Sequence, residues 1–186
     1  MKIVTQASEY EEIIKKSRFI GIISPCVSER DALLLLKSLH ERHPNASHIV
    51  HAYRIQSPDG LICRFHDAGE PSGTAGKPIF QHLEGKRLIN LTVAVIRYFG
   101  GVKLGAGGLT RAYGNIAKHV IDNADIVDYI EMADLKLSLD YNQLQMLEYQ
   151  LKKLDGEIIQ QEFAEQVHCQ IKIPQTNRDA LLAIFQ

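Results

Sequence analysis

The first two thirds of the chain alternate between short apolar runs and segments whose apolar residues recur every three or four positions. The short runs are rich in β-branched residues and predict strands, and the periodic segments predict amphipathic helices. Strands are predicted at residues 18–24, 48–56, 61–66 and 91–96. Helices are predicted from a capping box at Ser28 to Arg42, around residues 79–83, and from Leu109 to Ala124. This alternation indicates a domain in which helices pack on a sheet.

The last third repeats this mixture on a smaller scale. A strand at residues 135–139, a helix at 144–154, a hairpin of 157–163 with 167–173 and a helix from about Asn177 give the order β-α-β-β-α. This is the split βαβ pattern of ferredoxin-like domains without its last strand. The sequence therefore predicts the α+β class, with a second domain that is either truncated or left with an open sheet edge for self-association.

Acidic residues mark the boundary between the two parts. Asp or Glu recurs at every third position across residues 122–134, which is typical of a solvated segment. We predict a first domain at residues 1–124, a linker at 125–133 and a second domain at 134–186. Residues 64–119 carry 8 basic and 3 acidic residues, whereas residues 134–186 carry 5 basic and 8 acidic ones. This asymmetry indicates a directed electrostatic surface on the first domain.

Composition places the protein among ordinary globular proteins. Its 186 residues are 45% hydrophobic and 23% charged, with a formal net charge of −1. The three cysteines lack a C-x-x-C pair, which argues for a reducing compartment and against a disulfide framework or a zinc site. The N-terminal region is too acidic for a signal peptide, and no apolar run approaches the roughly 20 residues that span a bilayer. We therefore expect a cytoplasmic protein without a membrane segment.

Residues 85–121 differ from the rest of the chain in charge and in glycine content. They include no acidic residue yet carry six basic ones, and 11 of the 13 glycines lie between Gly60 and Gly114. Here the predicted strand 91–96 leads through a loop with five glycines into the helix from Leu109. Glycines let the backbone approach a ligand, and a helix start presents free N–H groups, so this order favours an anion site. Alternatively, the glycines only turn a corner and the basic residues form a solvated face.

No complete catalytic or cofactor motif accompanies the glycines. Walker A fails because Pro71 replaces its first glycine, and the dinucleotide fingerprint fails because Thr110 stands in place of its third. The eight histidines lack the spacing of metal ligands, so we predict no metal site and no cofactor. Asp67 and Glu70, with Thr74, are expected to structure their own glycine loop by binding backbone groups. A catalytic role for the two acids has no nucleophile or base to support it.

The chain resembles the YigZ/IMPACT family in three segments: Lys16-Ser-Arg-Phe-Ile20, Asp67-Ala-Gly-Glu-Pro-Ser-Gly-Thr-Ala-Gly-Lys-Pro78 and Arg97-Tyr-Phe-Gly-Gly-Val-Lys-Leu-Gly-Ala-Gly-Gly-Leu-Thr-Arg-Ala-Tyr-Gly114. The segments are long and specific, and the resemblance covers nearly the whole chain. It implies an N-terminal domain similar to ribosomal protein S5 domain 2 and a ferredoxin-like C-terminal domain. It also implies an association with the regulation of translation, protein partners in the translation machinery and no settled catalytic activity.

The charge pattern and the resemblance lead to one hypothesis, a non-enzymatic, translation-associated regulator that binds RNA or the ribosome through a basic, glycine-rich face. The expected anion contacts are Arg64, Lys77, Lys86, Arg87, Arg97, Lys103, Arg111, Lys118, Gly100, Gly101, Gly105, Gly107 and Gly108. Among them, Arg97, Lys103 and Arg111 are expected to surround one anion. If Gly107 needs a positive φ, a larger residue there should distort the loop. The alternative is an enzyme or sensor that holds a small phosphorylated ligand at the same loops.

Overall fold

The computed structural model describes residues 1–185. The chain divides into two compact units, Met1–Tyr129 and Ile130–Gln186, and each has its own apolar core. The prediction of an α+β protein with a larger first and a smaller second domain is confirmed. The segment 125–133, predicted as a linker, holds the last strand of the first unit, and the first strand of the second unit begins at Met132. No helix within the described part of the chain combines the length and the apolar character needed to cross a membrane.

The first unit is built on a five-stranded antiparallel sheet. The seven strands of the unit are β1 (Lys2–Val4), β2 (Ser8–Ile14), β3 (Ser17–Pro25), β4 (His48–Ser57), β5 (Gly60–His66), β6 (Leu91–Tyr98) and β7 (Ile126–Asp128). Its helices are α1 (Glu29–Arg42), α2 (Gly76–Gly85) and α3 (Gly105–Asp122). The sheet order is β2-β3-β6-β4-β5, and β1 pairs with β7 in a separate ribbon. Strand β6 therefore lies at the centre of the sheet, which agrees with its continuous apolar run.

Helices cover both faces of this sheet. Successive side chains of a strand point to opposite faces. In β6, Val93 and Val95 join the core shared with α2 and α3, whereas Ala94 and Ile96 join the core beneath α1. The first unit is therefore a sheet between two helical layers.

Helices α2 and α3 lie side by side and run in the same direction. Gly114 of α3 packs against Pro78 and His82 of α2. Lys86, just after α2, reaches Asp122 at the end of α3 over 2.6 Å. Both helix starts therefore lie at the same end of the unit, next to the ends of β5 and β6.

Helix α3 begins four residues earlier than its apolar period predicted, at Gly105 rather than Leu109. Gly105 has a φ of +71°, but Gly107 and Gly108 are helical residues without a positive φ. Gly107 therefore does not need a positive φ. Each glycine disfavours a helix by about 1 kcal/mol relative to alanine. Packing of the half-buried Leu104 and the buried Leu109 against the core outweighs that preference.

Within residues 130–185, the second unit is a three-stranded antiparallel sheet with two helices. Its elements are β8 (Met132–Leu139), α4 (Leu144–Lys153), β9 (Glu157–Phe163), β10 (Val167–Pro174) and α5 (Arg178–Phe185). The order β8-β10-β9 places β10 between the two strands that α4 connects, which is the split βαβ arrangement. The core of this unit joins β8 and β10 to both helices. Among the described residues of this unit, no fourth strand pairs with β8.

Candidate anion-binding site

One carboxylate organises the first glycine loop, residues 67–75. Asp67 Oδ2 accepts a hydrogen bond from the N–H of Gly73 at 2.9 Å, and Oδ1 accepts from those of Ala75 and Gly76 at 3.1 and 2.8 Å. Burial opposes the ionisation of Asp67, but together these three donors outweigh burial and lower the pKa of the carboxyl. The start of α2 is therefore already occupied by an anion of the chain itself, in the structuring role predicted for Asp67.

Glu70, the second acid of this loop, has a different role from the one predicted. Its Oε1 accepts from Nη1 of Arg97 at 2.6 Å and from the hydroxyl of Tyr113 at 2.7 Å. All three side chains are buried, and no backbone N–H among the described residues donates to Glu70. The expectation that Glu70 caps its loop is wrong, because a buried guanidinium offers a stronger, charge-assisted bond. Thr74 does structure the loop, since its hydroxyl donates to the carbonyl of Pro71 at 2.6 Å.

Arg97 is an interior residue rather than a surface cation. Its side chain is 6% exposed, and its Cζ lies 5.5 Å from the ring centroids of both Phe19 and Phe99. Nη2 donates to the hydroxyl of Ser17 at 3.3 Å, and Nε is buried without a partner in residues 1–185. The prediction of an exposed anion contact at Arg97 is wrong, because the buried strand β6 directs this side chain into the unit.

Tyr113 and His48 complete the cluster around Glu70. Burial first, and then the hydrogen bond to Glu70, raise the pKa of Tyr113 far above its ordinary value, so its hydroxyl remains a donor at neutral pH. His48 donates from Nδ1 to the carbonyl of Ala68 at 2.8 Å, and its Nε2 lies 3.7 Å from Glu70 Oε1. The contacts of Arg97, Tyr113 and His48 Nε2 with Glu70 all reach Oε1. Glu70 Oε2 has no hydrogen-bond partner in the described chain.

A cavity of about 400 Å³ adjoins this cluster. The buried side chains of Glu70 and Arg97 form its inner wall, and the exposed residues Phe99 and Lys103 lie at its rim. The remaining lining residues are His48, Pro71, Leu104, Gly105, Ala106 and Leu109. Across residues 1–185, no group of three or more His, Cys, Asp or Glu side chains is arranged to hold a metal. The cavity thus combines a mostly apolar lining with a charged inner wall.

The start of α3 lines the same cavity and has no cap. Leu104 occupies the N-cap position without a side-chain acceptor, and the first turn carries no acidic residue. The N–H groups of Gly105, Ala106 and Gly107 donate to no other described group. A helix start of this kind presents free donors and a partial positive charge. Helix α3 therefore offers an open anion site, whereas the start of α2 is held by Asp67.

Three predicted cations surround the starts of the two helices. Lys77 lies in the first turn of α2, Lys103 lies just before α3, and Arg111 lies in the second turn of α3. All three side chains are exposed and have no ion-pair partner among the described residues. We call Lys77, Lys103 and Arg111 the basic rim.

The other predicted cations lie elsewhere. Lys86 is paired with an acidic residue at the end of α3, and Arg87 and Lys118 are exposed nearer the ends of the two helices. Arg64 stands directly opposite Tyr53 in the β4–β5 pair, and Tyr53 belongs to the core beneath α1. Because directly paired residues point to the same face of a sheet, Arg64 lies on the opposite face from the basic rim.

The loop glycines serve turns and close packing. Gly101 and Gly105 have φ values of +85° and +71°, which favour glycine. A Cβ at Gly100 would collide with the carbonyl of Lys16 and lie 2.6 Å from the nitrogen of Ser17. These contacts fix the path of the chain between β6 and α3.

Sequence comparison decides the family of the chain. The model of the Impact N-terminal domain matches residues 15–121, and a model described as a domain of unknown function (DUF1949) matches residues 137–183. The chain belongs to the IMPACT family. An IMPACT family member of Haemophilus influenzae is 37% identical over 172 residues, which cover 92% of this chain and 84% of that protein. The IMPACT family member YvyE of Bacillus subtilis is 36% identical over 177 residues, which cover 95% of this chain and 81% of YvyE.

A solved structure resembles the chain over both units. This crystal structure, described as that of a hypothetical protein, shares 32% identity with a TM-score of 0.72. The match covers 98% of this chain and 89% of that one. The two-unit architecture is therefore shared with an experimental structure.

The three segments that carry the IMPACT resemblance meet around the inner wall of the cavity. The first supplies Ser17, the second supplies Glu70, and the third supplies Arg97 and Tyr113. The sequence analysis did not identify Tyr113 as a site residue. It also missed His48 and Phe99, which line the cavity. The sequence does indicate that Tyr113 is buried, because Tyr113 lies four residues after the buried Leu109 on the inner face of α3.

Proposed function

We propose that the protein is a translation-associated regulator that binds RNA through the basic rim and the start of α3. The observation that carries the proposal is the uncapped start of α3 beside three exposed cations without ion-pair partners. Free helix N–H groups and Lys or Arg side chains are the groups that hold nucleic-acid phosphates. Membership of the IMPACT family supports the link to translation, because the resemblance implies an association with its regulation.

The distribution of charge favours a polyanion at this surface. The whole chain has a formal net charge of only −1, so any attraction for an anion must be local. Lys77 and Arg111 lie on different helices, and Lys103 lies at the rim of the cavity. A single phosphate fits at the start of α3, but successive phosphates along an RNA strand can contact cations on both helices.

Titration of the protein with labelled single-stranded RNA at several salt concentrations tests this proposal. Arg111→Ala should weaken binding and flatten the log–log salt slope by about 0.7, the value for one contact with single-stranded nucleic acid. Its free energy of unfolding should change by less than about 0.5 kcal/mol, because the side chain is exposed.

Lys86→Ala is the matched control. It also removes one cation from the layer of α2 and α3, but this cation is already paired with Asp122 over 2.6 Å. Its salt slope should stay close to that of the unmodified protein. An unchanged slope for Arg111→Ala, or an equal change in both variants, contradicts the proposal.

A further inference from the structure

We infer that the cavity at the start of α3 binds one nucleotide unit, with the phosphate on the free N–H groups of α3 and the base against Phe99. This inference rests on the proposed RNA binding and names the unit that the site recognises. The ligand class is a ribonucleoside monophosphate, either free or within an RNA strand. Three independent features of the cavity lead to it.

The first feature is the difference between the two helix starts. At the start of α2, the carboxylate of Asp67 accepts hydrogen bonds from the N–H groups of Ala75 and Gly76. The N–H groups of Gly105, Ala106 and Gly107 have no acceptor among the described residues. Glycine has no side chain and alanine has only a methyl group, so the approach to these donors stays open. Lys103 stands beside them at the rim of the cavity. A phosphate at this position would complete the capping that the chain itself supplies to α2.

The second feature is an acceptor without a donor in the inner wall. The side chains of Arg97 and Glu70 are 6% and 4% exposed. No described group donates to Glu70 Oε2, and this oxygen is not fully buried, so a ligand in the cavity can reach it. The inner wall therefore suits a ligand that donates a hydrogen bond. The hydroxyl groups of a ribose do so, and a carboxylate is a usual partner for them.

The third feature is the aromatic ring at the rim. Phe99 is 50% exposed, and the guanidinium of Arg97 lies over its ring. Beside it, Pro71, Leu104 and Leu109 give the cavity apolar walls. A nucleobase is flat, has two apolar faces and stacks on exposed aromatic side chains. The volume of about 400 Å³ lies within the range of small-ligand pockets.

Simpler ligands leave part of the cavity unused. Inorganic phosphate would satisfy the start of α3 but would leave the apolar walls in contact with water. An aliphatic carboxylate would cover those walls but would bring no donor to Glu70 Oε2. A nucleotide matches the helix start, the inner wall and the ring together.

Titrations monitored by amide NMR of the full chain test the inference, with adenosine 5′-monophosphate, adenosine, ribose 5-phosphate and inorganic phosphate as probes. Adenosine monophosphate should bind saturably and shift the amide signals of Gly105, Ala106 and Gly107. Each of the other three probes should bind at least about tenfold more weakly, because each lacks at least one of the three groups. Equal binding of the monophosphate and inorganic phosphate overturns the inference.

Two pairs of variants locate the ligand. Ala106→Glu places a carboxylate in the first turn of α3, where an acid stabilises the helix but repels a phosphate. It should lower the affinity for adenosine monophosphate at least about tenfold without lowering the melting temperature, whereas Ala106→Gln, which adds a side chain of similar size without the charge, should lower the affinity less. Phe99→Ala should lower the affinity by about fivefold to a hundredfold through lost stacking. Its control is Phe163→Ala, since Phe163 is also exposed but lies in the second unit. Equal affinities within both pairs overturn the inference.

The same proteins separate this inference from the proposed function. If labelled RNA binds and Arg111→Ala weakens its binding, but adenosine monophosphate does not bind, the inference fails and RNA binding stands. If adenosine monophosphate binds at α3 but RNA affinity is insensitive to Arg111→Ala, the proposed RNA surface fails and the nucleotide site stands.

Discussion

Two ion pairs of equal length in this protein differ in their surroundings. Arg97–Glu70 and Lys86–Asp122 both have a nitrogen–oxygen distance of 2.6 Å. The side chains of the first pair are 6% and 4% exposed, and those of the second are 42% and 40% exposed. Water screens the second pair, whereas the first has lost its hydration and depends on its partners. Removal of one partner should therefore have very different consequences in the two places.

Arg97→Met should lower the free energy of unfolding by about 3–5 kcal/mol, because it leaves the carboxylate of Glu70 buried without its cation. Lys86→Ala should cost no more than about 1 kcal/mol. Urea unfolding of both variants measures the difference. In the double variant Glu70→Gln with Arg97→Met, part of the loss should be recovered, since no charge is then left unpaired. A cost for Arg97→Met as small as that of Lys86→Ala would show that the buried pair is unimportant for stability.

Local contacts of single residues could be predicted from the sequence, but distant ones could not. Asp67 precedes a glycine loop and a helix start, so its binding to nearby N–H groups follows from its neighbours in the chain. Glu70 and Arg97 are 27 positions apart, and they meet because the sheet register places the end of β6 beside the first loop. That register depends on the whole sheet. The basic residues therefore predict an electropositive region as a pattern, but the burial of Arg97 could not be predicted from the sequence.

At the scale of elements, the glycines between β6 and α3 have unequal roles. Gly100 lies directly against the backbone of β3, whereas Gly107 has space around it, with Arg111 Nη1 at 3.5 Å from an added Cβ. Composition alone treats the two positions as equivalent. Apolar periodicity predicted β3 to β6 and the three helices of the first unit, but it missed β1, β2 and β7. It also missed the start of α3, because glycine preferences and tertiary packing oppose each other there.

A pair of alanine substitutions tests these unequal roles. Gly100→Ala should destabilise the protein by roughly 2 kcal/mol or more, because the new methyl group collides with the main chain of Lys16 and Ser17. Gly107→Ala should be neutral or stabilising by up to about 1 kcal/mol, since alanine favours an exposed helical position. Melting temperatures of both variants provide the measurement. Similar losses at the two positions would contradict the helical assignment of Gly107.

At the scale of the whole molecule, the division into two units separates opposite charges. The basic rim belongs to Met1–Tyr129, while residues 134–186 carry 5 basic and 8 acidic residues. The first unit also includes β7, which pairs with β1 through Lys2↔Asp128 and its neighbours. A fragment intended to contain the first unit must therefore extend past this ribbon.

We expect a fragment of residues 1–129 to fold by itself and to keep the RNA affinity of the full chain. A fragment of residues 130–186 should bind RNA weakly or not at all, because its charge repels phosphates. Circular dichroism checks folding, and titration with the same labelled RNA checks binding. Equal affinity of the acidic fragment would place the RNA surface outside the basic rim.

The central position of β6 also affects how the chain is made. Both strands that flank it, β3 and β4, precede it in the sequence, so the ribosome releases them before the strand that joins them. About 30 residues separate the end of β5 from the end of β6, which corresponds to a few seconds of synthesis at about 5–20 residues per second. During this interval the nascent chain carries two strand pairs with unpaired inner edges, which are surfaces prone to wrong pairing. The N-terminal unit is therefore most open to wrong strand pairing in the seconds before residue 98 becomes available.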